Sequence, residues 1–232
     1  MSAPNTSKLT GIAILVSAIL TIIGSSLGGE ALWLHYLFKP ATTLLVWWSV
    51  WRIKAPSHPL YRRAVLLALL LSLCGDVFLM LPKSVIGLGF ELGLASFLVA
   101  HLFFLRAFTR DTPLFGRRLP LILLLLLSFA NLMVLWPSIG GALQLPVLAY
   151  MTCLVCMSAQ AISRAISLDT PSARLAAFGG IAFLISDTTL AYNKFYAPVP
   201  SSPLLVLGTY YLALYLIARS VETKAEAAIY VQ

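Results

Sequence analysis

Residues 119–136 read LPLILLLLLSFANLMVLW, and this stretch decides the fold class of the 232-residue chain. It carries no charged side chain, although it directly follows Arg117 and Arg118. At 1.5 Å per residue, an α-helix of this length nearly crosses a hydrocarbon core that is about 30 Å thick. We therefore predict that this stretch spans a membrane.

Seven further apolar runs of similar length occur along the chain. They lie near residues 10–28, 31–51, 63–82, 86–108, 142–163, 174–196 and 203–219. Only 10% of the residues are charged, whereas soluble domains contain about 25%, and the mean hydropathy is +0.93. The sequence thus predicts an all-α membrane protein, a bundle of eight transmembrane helices that forms one integral membrane domain over residues 1–232. Soluble enzymes, secreted modules and disordered tails are excluded.

The basic residues predict an orientation rather than a nucleic-acid partner. With a cytoplasmic N-terminus, thirteen of the sixteen Lys and Arg residues fall at the cytoplasmic ends of the predicted spans, and the other three are Lys39, Lys83 and Lys194. Cytoplasmic loops of membrane proteins carry this excess of positive charge. We expect both termini in the cytoplasm and no binding of nucleic acid, in spite of the net charge of +8.

The three cysteines argue against a disulfide framework. Cys74, Cys153 and Cys156 all lie inside apolar runs, so they are not placed to form an extracellular disulfide framework. Cys153 and Cys156 have the spacing of a redox pair, but no predicted strand precedes them. We expect three buried free thiols.

Four ionisable residues lie within predicted spans, where such groups are costly and usually mark function. They are Lys39, Asp76, His101 and Asp187. Each aspartate comes thirteen residues after a cytoplasmic arginine, and Lys39 comes thirteen residues before one. All three are therefore expected in one layer, about 20 Å from the cytoplasmic boundary and about 10 Å below the outer surface. Asp76 and Asp187 can meet there, with His101 about 6 Å closer to the cytoplasm.

Several familiar chemistries do not fit these residues. A catalytic zinc ion needs three protein ligands, but only His101 among the histidines is deep, and the chain has no G-x-S-x-G nucleophile motif. The G-x-G-D signature of intramembrane aspartyl proteases is broken by Leu73. An ion pair between Lys39 and an aspartate that only holds the bundle together remains an alternative, although two aspartates exceed one lysine.

The motifs around these residues resemble the YhhN family of lysoplasmalogenases, which are multi-span membrane hydrolases of bacteria with animal relatives. The matching segments follow in family order over nearly the whole chain: Lys39-Pro-Ala-Thr-Thr43, Leu71-Ser-Leu-Cys-Gly-Asp-Val-Phe-Leu-Met80, Phe97-Leu-Val-Ala-His101, Ile185-Ser-Asp-Thr-Thr-Leu-Ala191 and Tyr210-Tyr211. The resemblance implies an integral membrane protein of the bacterial inner membrane that hydrolyses the vinyl-ether bond of a lysophospholipid. The products would be a fatty aldehyde and glycerophosphoethanolamine or glycerophosphocholine, and no cofactor would be needed.

Two carboxyl groups suit this chemistry. A vinyl ether reacts when its outer alkene carbon is protonated, which gives an oxocarbenium ion that water captures, much as in glycoside hydrolysis. We expect Asp76 and Asp187 to act as the acid and the base, in an order that the sequence leaves open, and His101 to orient a group or relay a proton. Lys39 either tunes the pair or binds the substrate phosphate. Tyr150, Tyr210 and Tyr211 are expected to contact the substrate.

Two other classes of function use the same residues. A proton-coupled transporter would employ the buried carboxylates as a relay, and an assembly factor would need them only for structure. A lysolipid hydrolase predicts that a single-chain substrate enters sideways from the outer leaflet to reach a shallow site.

Overall fold

The computed structural model describes residues 4–82 and 84–229, so Lys83 lies outside the described residues. Within that part the regular structure is helical, with eight long helices, one short C-terminal helix and two 3₁₀ turns that precede α2 and α6. The helices are α1 (Pro4–Leu27), α2 (Leu32–Trp51), α3 (Pro59–Met80), α4 (Gly89–Phe108), α5 (Leu119–Leu135), α6 (Gly141–Leu168), α7 (Pro171–Phe195), α8 (Ser202–Arg219) and α9 (Lys224–Ile229).

Each of the eight predicted runs coincides with one long helix, and α9 is an addition that hydropathy did not predict. Within the described residues, seven helices are long and apolar enough to span a membrane, as expected of an integral membrane protein. The exception is α2. It has 20 residues, but His35, Lys39 and four tryptophans lower its hydropathy. Its polar residues therefore need partners inside the bundle.

Six helices close a ring, in which α2 packs on α3, α3 on α4, α4 on α6, α6 on α7, α7 on α8, and α8 again on α2. Helix α1 packs outside this ring against α2 and α8, and α5 packs mainly on α6. Large apolar side chains fill the middle of the ring, among them the fully buried Phe104, Phe183 and Leu69. The middle of the ring is therefore tightly packed with apolar side chains, which support the residues at either end of the bundle.

Two glycines bring helices of the ring close together. A Cβ atom on Gly75 of α3 would lie 2.5 Å from the ring of Phe97 on α4, and one on Gly179 of α7 would lie 2.7 Å from Ile217 and 3.0 Å from the Ala213 carbonyl oxygen on α8. Small residues permit such close contacts between membrane helices. Gly75 therefore fixes the position of its neighbour Asp76 against α4.

The two ends of the bundle differ in charge. At one end, the α4–α5 connection is tied to α6 by the ion pair between Asp111 and Arg164, with a shortest N–O distance of 2.7 Å. Most of the basic residues counted as cytoplasmic lie at this end, and it is called the basic end below. The α1–α2, α3–α4, α5–α6 and α7–α8 connections lie at the opposite end, which is called the open end.

The cysteines depart from expectation in their burial. All three are free thiols, but Cys74 is exposed on the surface of α3, and Cys153 and Cys156 are only partly buried. The expectation of three buried thiols was wrong because an apolar residue of a membrane helix is as well placed against lipid as against protein.

Candidate active site

A cavity of about 670 Å³ lies inside the bundle at the open end. All eight long helices, α1 to α8, contribute to its lining, α1 through Ser25. Its deepest lining residues form a floor and include Lys39, Asp76, Phe97, Leu184 and Tyr210. The wall is largely apolar, with a few polar groups, which is typical of small-molecule sites.

Asp76 lies in the floor and is surrounded by donors. Its side chain is 1% exposed. Thr43 Oγ1 on α2 donates a hydrogen bond to Asp76 Oδ2 at 2.6 Å, and the Tyr210 hydroxyl on α8 donates to the same oxygen at 2.7 Å. Lys39 Nζ lies 3.7 Å from the other carboxylate oxygen, Oδ1. One cation and two hydroxyl donors therefore compensate the charge of this carboxylate, as a buried anion requires.

Asp187 faces the same cavity from α7 and has fewer partners. The Tyr150 hydroxyl on α6 donates to its Oδ2 at 2.5 Å. Among the described residues, no basic side chain lies within ion-pair distance of this carboxyl group. Asp187 is also less buried than Asp76. The two aspartates thus share one cavity without a direct hydrogen bond to each other, and each is held by its own tyrosine.

The sequence left two roles open for Lys39, tuning of the aspartate pair or binding of the substrate phosphate, and the geometry favours the first. Lys39 is 6% exposed and its ammonium group faces Asp76. The ion pair between Lys39 and an aspartate is therefore present. Because its charge is already matched inside the floor, Lys39 is poorly placed to receive a phosphate from outside.

The three tyrosines named from the sequence have different positions. Tyr150 and Tyr210 line the cavity and hold the two aspartates. Tyr211 is buried beside Tyr210, with ring centroids 5.2 Å apart, but it is not among the lining residues of the cavity. Tyr211 lies outside the cavity lining because the next residue of a helix points about 100° away from Tyr210, and its contact with substrate stays a prediction.

His101 is fully buried one turn of α4 below Phe97. Its ring packs against Phe183 and Tyr150, with centroid distances of 4.7 and 5.1 Å. Within the described residues neither ring nitrogen makes a hydrogen bond, and His101 does not line the cavity. The structure thus places His101 behind Tyr150, where it can support that side chain, and does not bring it to either aspartate.

Three further polar residues belong to this site and were not selected from the sequence. Thr43 donates to Asp76, and its position four residues after Lys39 on the same helix face was the available signal. Asn131 on α5 accepts a hydrogen bond from Tyr192 on α7 at 3.0 Å, and an amide inside the most apolar run was the signal there. Lys194 lines the cavity near the open end, seven residues after Asp187 and thus on the same face of α7.

The described residues include no cluster of three or more His, Cys, Asp or Glu side chains that would hold a metal ion. The polar groups of the cavity are carboxylates, hydroxyls, two ammonium groups, the His35 imidazole and two asparagine amides, and several of these can exchange protons. The arrangement can therefore donate a proton from one carboxyl group and accept one at another within an apolar chamber.

Comparison with known proteins adds a family and named relatives. The model of the YhhN family matches residues 34–221. The chain is 38% identical to lysoplasmalogenase TMEM86B of Sus scrofa over 154 residues, which cover 66% of this chain and 61% of that protein. It is 34% identical to lysoplasmalogenase TMEM86A of Homo sapiens over 167 residues, 71% of this chain and 67% of that protein.

A bacterial relative is similar over a longer region. The chain is 31% identical to a lysoplasmalogenase of Mycobacterium tuberculosis over 193 residues, which cover 80% of this chain and 69% of that protein. No solved structure matches the chain. The region that the family model matches contains every cavity residue discussed above except Ser25 of α1.

Proposed function

This chain belongs to the YhhN family, and from that premise we propose that it is a membrane-embedded hydrolase that cleaves the vinyl-ether bond of lysoplasmalogens. The observation that carries the proposal is the pair of carboxyl groups that face one largely apolar cavity with unequal partners. Relatives named lysoplasmalogenases support the substrate class. The products would be a fatty aldehyde and the glycerophospho-base.

The unequal partners suggest which carboxyl group is the acid. Asp76 faces Lys39 and two hydroxyl donors, so its anion is compensated. Asp187 has a tyrosine donor and no ion pair within the described residues, so its neutral form is the one that an apolar chamber favours. In this proposal Asp187 is the general acid and Asp76 the general base.

The reaction then balances without any added group. Asp187 gives its proton to the outer alkene carbon, which uses the π electrons of the C=C bond for the new C–H bond and leaves an oxocarbenium ion beside the new Asp187 anion. Water adds to the cationic carbon and passes a proton to Asp76. The hemiacetal hydroxyl then returns a proton to Asp187 while the C–O bond to glycerol breaks and the leaving oxygen takes the proton from Asp76. One water is consumed and both carboxyl groups regain their starting states.

The remaining residues of the cavity have supporting roles in this proposal. Tyr150 and Tyr210 fix the orientation of the two carboxyl groups, and Lys39 holds Asp76 as an anion. His101 acts as a positioning residue behind Tyr150. Lys194 lies about 10 Å beyond Asp187 along α7, which suits a phosphate that is only a few bonds from the vinyl ether. We therefore assign the substrate phosphate to Lys194 rather than to Lys39.

The orientation of the protein follows from the charges. We propose that α2 is the eighth span, since its Lys39 is paired within the bundle. With the basic end in the cytoplasm, both termini are cytoplasmic and the cavity opens toward the outer leaflet. In a bacterium this would be the outer leaflet of the inner membrane.

Purified protein in detergent should release aldehyde from a lysoplasmalogen, as measured by mass spectrometry of the lysolipid mixture before and after incubation. The matched control is Asp187→Asn, which should leave the substrate intact. Hydrolysis of an acyl ester instead of the vinyl ether would assign a different bond. Ion flux into proteoliposomes without any lipid turnover would replace the hydrolase with a transporter.

A further inference from the structure

The cavity is closed on most sides but open along one flank. Its lining comes from all eight long helices, yet the lining side chains that are exposed all belong to α5 and α7. They are Leu127, Ile185, Thr188, Asn193 and Lys194. Asn193 and Lys194 lie at the open end, whereas Ile185 and Thr188 flank Asp187 in sequence, and Leu127 and Ile185 are 59% and 50% exposed. A cleft between α5 and α7, here called the α5–α7 cleft, therefore joins the cavity to the side of the bundle.

Packing across this cleft is slight. Helix α5 packs mainly on α6 and only touches α7. The hydrogen bond from Tyr192 to Asn131, at 3.0 Å, bridges the two helices at one level. One turn deeper along each helix, Leu127 and Thr188 line the cavity and are exposed. The bridge lies between this part of the cleft and the open end.

A hydrocarbon chain cannot extend straight down from Asp187. The deepest lining residue of α7 is Leu184, three residues or about 4.5 Å below Asp187. Below the floor, the buried rings of Phe104, His101 and Phe183 fill the bundle. A chain that fills one leaflet is about 15 Å long, since two leaflets make a core of about 30 Å. Most of such a chain must leave the cavity sideways.

We propose that the α5–α7 cleft is the binding site for the hydrocarbon chain of the substrate. The occupant is the single chain of a lysolipid, which passes from the vinyl ether beside Asp187 between Leu127 and Thr188 into the surrounding bilayer. The inference rests on the proposed function and adds the path of the chain. The head group stays at the open end, and the lipid reaches the site without leaving its leaflet.

A pair of neighbouring leucines provides the test. Leu127 lines the cavity and is 59% exposed, whereas Leu126 is 62% exposed and does not line it. Leu127→Trp and Leu126→Trp are compared on two lysoplasmalogens, one with a hexadecenyl and one with a butenyl chain. Leu127→Trp should lower kcat/KM for the long chain about tenfold, the scale of an overpacked site, and leave the short chain within about twofold. Leu126→Trp should change neither.

Equal effects of the two tryptophans, equal losses on both chain lengths, or no effect of Leu127→Trp would each overturn the proposal. Should Leu127→Trp aggregate, the wild-type protein decides the question. It is irradiated with a 1-O-hexadecyl lysophospholipid that carries a diazirine in mid-chain, and the adducts are mapped by mass spectrometry. Adducts within 122–135 and 185–192 support the cleft, and adducts on α1, α2 or α3 refute it.

The proposed function and this inference fail in different ways. If wild-type protein releases no aldehyde from either chain length, the hydrolase proposal fails. The photolabelling experiment uses a lipid that cannot be cleaved, so it still reports whether a single chain occupies the α5–α7 cleft. If aldehyde is released but the adducts lie elsewhere, only the path of the chain is wrong.

Discussion

Replacing either aspartate with asparagine should abolish turnover, but only the replacement of Asp76 should also destabilise the protein strongly. Asp76→Asn removes the anion that faces Lys39, and Lys39 is 6% exposed and cannot reach water without a rearrangement. Asp187→Asn keeps an oxygen that can still accept the Tyr150 hydrogen bond, and it strands no charge. The two variants therefore separate chemistry from stability.

The expected difference can be estimated from the contacts. Leaving one partner of a buried ion pair without its counter-charge costs about 3–5 kcal/mol. Weakening one hydrogen bond at Asp187 costs about 1 kcal/mol. For a chain of this size each kcal/mol shifts Tm by roughly 2–4 °C. Asp76→Asn should thus lower Tm by about 10 °C relative to Asp187→Asn. The rate should fall about 10²–10⁴-fold in both variants.

Thermal unfolding in detergent and aldehyde release measure the two quantities separately. The double variant Lys39→Met with Asp76→Asn removes the stranded ammonium group, so its Tm should recover most of the loss while its activity stays absent. If Asp76→Asn and Asp187→Asn have the same Tm, or if Lys39→Met does not raise the Tm of Asp76→Asn, then the ion pair does not stabilise the floor and the assignment of Asp76 as the compensated anion is wrong.

Three further changes test other parts of the site. Lys194→Gln should raise KM for a lysoplasmalogen about tenfold, which is the contribution of one charged contact. It should leave KM unchanged for the alkenylglycerol that lacks the phosphate. Equal changes in KM for both substrates would show that Lys194 does not bind the phosphate. Thr43→Val should lower kcat several-fold through the lost donor to Asp76. Thr42→Val serves as the control for the same change of side chain, since the Thr42 hydroxyl bonds to Ser17 and the Phe38 carbonyl oxygen. Gly75→Ala should lower Tm because its Cβ would lie 2.5 Å from the Phe97 ring, and the smaller Phe97→Leu in the same chain should restore it; a Gly75→Ala protein of wild-type Tm would contradict the close packing.

The fold was predictable from the sequence because each long helix coincides with a largely apolar run of membrane-spanning length. Depth was predictable as well, since a constant rise per residue converts distance along the chain into distance across the membrane. The equal spacing of Lys39 and Asp76 from cytoplasmic arginines placed both in one layer, and the structure has them 3.7 Å apart. The low hydropathy of α2 is also explained by the site, because the polar residues of α2 that contribute to the floor lower the hydropathy of the helix.

The direction in which a side chain points around its helix axis could not be predicted in the same way. Tyr210 and Tyr211 are neighbours in sequence, yet only Tyr210 lines the cavity and reaches Asp76. His101 has the depth that its position indicates, but it faces Phe183 and Tyr150 instead of a carboxylate. Every helix of a membrane bundle has apolar residues on all sides, so the hydrophobic periodicity that orients helices in soluble proteins is faint.

In the proposed mechanism, the different partners of the two aspartates explain why the site needs more than two carboxyl groups. A symmetric pair with equal partners would hold its proton on either residue, and only one of the two positions can reach the alkene carbon. The ammonium group of Lys39 is buried next to Asp76, and in the proposed mechanism it breaks that symmetry and leaves the proton with Asp187. Asp187 is also the aspartate whose helix carries Lys194 at the open end and the exposed Ile185 and Thr188 at the flank. In the proposed mechanism the acid, the phosphate site and the chain path therefore follow one helix, and the base with its lysine stays in the floor, where substrate binding would not disturb its charge.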